Sequence, residues 1–220
     1  MERGINIFII IHATFGGIAF VAGFVAMIAK KGHLLHRKSG LIFFYSMVIS
    51  AISAMIISVL PNHESPFLFA VGVFSLYFVL VGKRALKFKF KNPNLFFDRW
   101  IAIIMVLTGV LMIFLPLILY QKINIILLVF GVVGILSAIK NLSVYKDPER
   151  LRNGWLKMHL GNIMGGYIAA TTAFVVVNQF FPSFYGCVIP GIIGGVFITY
   201  WMRKVRLQTK NKAVVKTTNK

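Results

Sequence analysis

Carboxylates are scarce in this chain. Five Asp and Glu stand against 24 Lys and Arg in 220 residues, and charged residues of both signs make up only 13% of the total. Soluble domains carry about a quarter, and one of this length could not keep 58% hydrophobic residues out of water. Cysteine is nearly missing as well. Cys187 stands alone, which excludes an intramolecular disulfide and a cysteine metal cluster and leaves the redox compartment unreadable. The chain also lacks a Walker loop, a dinucleotide fingerprint, a Gly-x-Ser-x-Gly elbow and a His-Glu-x-x-His pair, so none of the chemistries those motifs announce is indicated. No solvent domain, low-complexity segment or internal repeat is evident.

What remains is apolar sequence in long runs. Seven segments, 5–29, 40–60, 66–82, 100–120, 123–139, 155–181 and 185–202, approach the roughly 20 residues a helix needs to cross a hydrocarbon core. They are continuously apolar rather than alternating, which argues against a barrel. The first is too long for a signal peptide and is followed by Lys30-Lys31, so it reads as a retained span. The expected fold is all-α, a polytopic transmembrane bundle of about seven spans formed by residues 1–202. A basic tail, 203–220, is expected to be disordered or to lie on anionic lipid.

The net charge of +19 would suggest nucleic acid in a soluble protein. Here the basic residues fall between the apolar runs, and 22 of the 24 lie on alternate connections and the tail, leaving Arg3 and Lys122 on the other side. The loops are short, where the positive-inside rule has force. The N-terminus is therefore expected outside and the C-terminus in the cytoplasm, with anionic headgroups as partners and no nucleic acid. Trp100, Trp155 and Trp201 fall at the basic ends as interfacial anchors. Oligomeric state is not readable.

Polar residues inside spans are the informative ones, because each needs a partner or a wet cavity. His12 shares its helix face with Gly16, Ala19, Gly23 and Ala26, a small-residue stripe that turns it towards another helix. His159 shares a face with Asn162, Gly166, Ala169 and Ala173, and Tyr167, Thr171, Thr172 and Asn178 make this the most polar span. The competing explanation is a helix central in the bundle, with hydroxyls bonded to their own turn. The loop after the first span brings His36-Arg37, and Asp98-Arg99 opens the fourth span on the same side. Asp98 is the expected partner of a loop arginine. Gly191, Gly194 and Gly195 read as a close-packing face.

The combination of His12, His36-Arg37-x-x-Gly40, and His159 followed by Gly166-Tyr167-Ile168-Ala169-Ala170-Thr171-Thr172-Ala173-Phe174 resembles a family of uncharacterised bacterial multi-span membrane proteins. The resemblance implies a bacterial cytoplasmic (inner) membrane and directs attention to these residues. It implies no activity.

Several functions stay open. One is a histidine-liganded haem or metal protein doing redox chemistry, with His36 and His159, or His12 and His63, at matching depth. Another is a proton-coupled transporter using His12 and His159, weakened by the lack of an intramembrane carboxylate. A third is a structural or regulatory subunit. A zinc site of His36, His159 and Asp98 would supply three ligands and an open position. Any site is expected at the cytoplasmic face, around His36, Arg37, Asp98, Arg99 and His159.

Overall fold

The computed structural model describes residues 2–90 and 92–218. Of the residues weighed above, Lys91 and Lys220 and the side chains of Arg3, Cys187 and the basic tail beyond position 205 lie outside what is described. Every element among the described residues is helical: α1 (Glu2–Ile28), α2 (Leu34–Ile57), α3 (Pro66–Arg84) with a 3-10 turn (Ala85–Lys87), α4 (Phe96–Tyr120), α5 (Ile125–Tyr145), α6 (Pro148–Val177) and α7 (Ser183–Thr218). Among the described residues six helices, α1 to α6, are long and apolar enough to cross a bilayer. The protein is a multi-pass helical membrane bundle.

The helices match the seven apolar runs but overrun several of them at the basic ends. α2 starts at Leu34, α4 at Phe96 and α6 at Pro148, and α5 continues to Tyr145. Apolarity stops where hydrocarbon stops, whereas a helix stops where its backbone is capped. Asp147 caps α6 by accepting from the amides of Glu149 and Arg150, with Pro148 in the first turn where no amide is needed. Ser65 and Pro66 do the same for α3, and Asn124 for α5. Long basic side chains let such extensions reach the headgroups.

α3 lies at the centre, packed against α2, α4, α5 and α6, while α1 leans on α2 and α7 on α6. Phe74, Tyr77, Phe78 and Val81 of α3 are buried with Met105 of α4 and Phe130 of α5. Glycine sets the closest approaches. A Cβ on Gly82 would lie 2.8 Å from the backbone nitrogen of Ile163, and one on Gly109 would lie 2.9 Å from the carbonyl of Gly131. These are van der Waals seams between helices, where membrane bundles find most of their association energy.

Candidate functional site

The three candidate histidines behave alike. His12 Nδ1 lies 2.9 Å from the carbonyl of Ser50 on α2. His36 Nδ1 lies 2.8 Å from the carbonyl of Ala26 on α1. His159 Nδ1 lies 2.7 Å from the carbonyl of Gly82 on α3. A carbonyl only accepts, so in each ring Nδ1 carries a proton, and in the neutral imidazole the lone pair falls on Nε2. Each histidine is partly buried and bonds across to another helix, as the small-residue stripes suggest for His12 and His159; His36, read as a loop residue, instead lies in the first turn of α2. Those stripes pack tightly. A Cβ on Gly16 would touch Ser50 Oγ at 3.3 Å, Gly23 opens the niche filled by the rings of Tyr167 and Phe43, and Gly166 abuts Val79.

At the basic end these contacts converge. The Ala26 carbonyl that receives His36 also receives Lys31 Nζ at 3.0 Å, and Lys31 donates to the Met27 carbonyl at 2.5 Å. Lys31 thereby caps the C-terminus of α1, where the helix dipole favours a cation. Its ammonium also lies 4.6 Å from the ring centre of Trp201 on α7, with Lys204 on the same ring at 4.8 Å. Burial, and then the charge of Lys204, hold the Lys31 pKa below the usual 10.5. His36, two turns before Phe43 on α2, and His159, one turn before Ile163 on α6, stand at the same end of the cluster in which Phe43, Ile163 and Tyr167 pack together, although they are 123 positions apart in the chain.

Asp98 belongs elsewhere. Its carboxylate is fully buried and accepts two bonds from Arg84, from Nε at 2.5 Å and from Nη2 at 2.6 Å. That is the paired fork typical of arginine and carboxylate, and it fills the aspartate's role as partner of a basic residue just past the third span. Among the described residues no three His, Cys, Asp or Glu side chains gather as a metal ligand set. The expected zinc trio of His36, His159 and Asp98 is thus not assembled, because Asp98 is turned onto Arg84. Arg37 and Arg99 are exposed. Thr171 bonds back to the carbonyl of Tyr167 at 2.9 Å, and Tyr167 stacks on Phe20 with ring centres 5.5 Å apart. Both are structural contacts.

Asn162 joins a polar cluster that the sequence does not advertise. Asn141 of α5 donates to the hydroxyl of Tyr77 at 2.7 Å and to Asn162 Oδ1 at 3.3 Å, and Asn162 donates to the Met158 carbonyl at 2.8 Å. All three side chains are buried. Asn141 falls just beyond the fifth apolar run, beside Lys140, and so reads as loop. The only available signal was helical continuity through that boundary.

Beside this cluster a cavity of about 1110 Å³ opens between α5, α6 and α7. Gly191 and Gly195 line it rather than packing against a neighbour, since a Cβ on either would meet nothing within 4 Å. This corrects the reading of a glycine packing face on α7. Only Gly194 fits it, tucked against Ile168.

Comparison with protein-family models, curated proteins and solved structures gives no match. The likeness to bacterial multi-span proteins rests on the motif residues alone.

Proposed function

We propose that the working site of this membrane protein is the His36–His159 pair at its basic end, acting as a two-nitrogen ligand set for one transition-metal ion in redox chemistry. The observation that carries this reading is the shared anchoring of both rings. Each Nδ1–H is spent on a backbone carbonyl, at 2.8 and 2.7 Å. That arrangement fixes the tautomer and makes Nε2 the stronger donor, as outer-shell bonds do for metal-binding histidines. The remaining metal positions would fall to water or to an anion held by Lys31 and Lys83. The site would face the cytoplasm, in the inner membrane if the bacterial resemblance holds.

A second reading has its own support. The same two lysines disfavour a bare cation beside His159, whereas a proton acceptor needs none. The pair would then relay protons for a coupled carrier. Metal analysis and an absorption spectrum of the purified protein separate the two. About one metal per chain, lost in His36→Ala and in His159→Ala while the helical signal persists, supports the first reading. A metal-free protein, or metal retained in both variants, overturns it.

A further inference from the structure

The cavity between α5, α6 and α7 has a chemistry of its own, independent of the histidine pair. Its mouth carries Lys140, Arg150, Lys157 and Arg203, and no Asp or Glu lines it. Among the described residues, Lys140, Lys157 and Arg203 have no carboxylate partner, and Arg150 has only a long 3.9 Å approach to Asp147. Beyond the mouth the wall is mostly apolar, and the amides of Asn141 and Asn162 are already occupied with one another, with Tyr77 and with the Met158 carbonyl. The lining runs along α7 from Arg203 to Val188, 15 residues or roughly 22 Å of helix. One leaflet of a hydrocarbon core about 30 Å thick is roughly 15 Å. The cleft is therefore cationic at the headgroup level and greasy through the depth of one leaflet and somewhat beyond. Gly154, Gly191 and Gly195 keep the space open, each with nothing within 4 Å of a would-be Cβ.

We propose that this cleft holds one anionic phospholipid of the surrounding bilayer, its phosphate at the Lys157–Arg203 mouth and an acyl chain along the glycine-lined wall of α7. Charge selects this occupant. Four cations without a lining carboxylate match a net negative headgroup and leave the ammonium of a zwitterionic lipid without a partner. A second copy of the chain would bring its own net charge of +19 against the same mouth.

The test uses the full chain, reconstituted in nanodiscs of equal parts phosphatidylglycerol and phosphatidylcholine, released into neutral detergent and weighed by native mass spectrometry. One phosphatidylglycerol should stay with each chain, favoured several-fold over phosphatidylcholine. Lys157→Gln with Arg203→Gln should erase that preference, while Lys87→Gln with Lys89→Gln, an equal charge change away from the cleft, should leave it intact. Gly191→Leu with Gly195→Leu should expel the lipid by filling the space, with helical content and elution volume unchanged. Equal retention of both lipids overturns the proposal. So does retention that survives the leucine variant, loss of preference in the control pair, or a lipid-free dimer.

Discussion

His12 and Ser50 bind each other in both directions. The imidazole donates from Nδ1 towards the Ser50 carbonyl at 2.9 Å, with Ser50 Oγ 3.1 Å away, while that hydroxyl donates back to the His12 carbonyl at 3.2 Å. The clamp ties the N-terminal half of α1 to the C-terminal half of α2, just where Gly16 lets the backbones approach. Interhelical bonds of this kind average about 0.6 kcal/mol in membranes. A double-mutant cycle of His12→Phe and Ser50→Ala, followed by unfolding in mixed micelles, should give a coupling near that size. Strictly additive effects would show that the clamp contributes nothing.

The buried ion pair should respond unequally to loss of its two ends. Asp98 is 0% exposed whereas Arg84 keeps 23% of its side chain accessible. Arg84→Met strands a carboxylate with no access to water, and breaking a buried pair costs about 3–5 kcal/mol. Asp98→Asn leaves an arginine that can still reach solvent and should cost clearly less. Chemical unfolding of the two variants checks the order, and a larger loss for Asp98→Asn would contradict it.

Glycines of α3 and α7 should differ as sharply. Gly82→Ala places a methyl 2.8 Å from the Ile163 nitrogen, so α3 and α6 must part, and overpacking of this kind costs about 1–3 kcal/mol. Gly195→Ala meets open space and should be neutral or slightly stabilising. Thermal midpoints of the two proteins provide the comparison. Equal shifts would mean that the α3–α6 seam is looser than its geometry.

Lys31 gives a pH dependence of known sign. Its folded pKa lies below 10.5, so the unfolded chain holds more protons in the window between the two values, and stability rises with pH there. The penalty for a charged Lys31 is present below the folded pKa and is relieved as pH climbs towards 10.5. The thermal midpoint of the native protein should therefore gain on that of Lys31→Met as alkaline pH is approached. A constant difference, or one of opposite slope, refutes the assignment.

Orientation follows from charge. Reporter fusions at Lys122 and Lys220 should label opposite compartments, with Lys220 cytoplasmic. Labelling of the same side would mean that the seven-span reading is wrong, since α5, α6 and α7 could not then all cross the membrane.

The sequence shows the bundle plainly because a bilayer-spanning helix is a one-dimensional signal: twenty apolar residues need no knowledge of their neighbours. Small-residue stripes likewise disclosed which way His12 and His159 face. What stayed hidden depends on pairs from different helices. Asp98 was readable as a partner for arginine, yet only the fold shows that Arg84 takes both of its oxygens and withdraws it from the histidines. Asn141 and Tyr77 lie 64 residues apart, and neither stands out in its own segment. Gly191 and Gly195 look the same in sequence whether a glycine face closes a seam or opens a cleft.

The first hairpin is stitched at both ends by its own histidines, and this bears on how the chain is made. The His12 bond to Ser50 and the His36 bond to Ala26 close entirely within the first 57 residues. Synthesis can thus leave a latched pair of helices in the membrane before any later segment emerges from the ribosome. The His159 bond to Gly82 cannot form until α6 has been translated, long after α3 has inserted. Until then the central helix, already packed on α2 of the early hairpin, waits with an open flank, and insertion of α6 is the event that covers it.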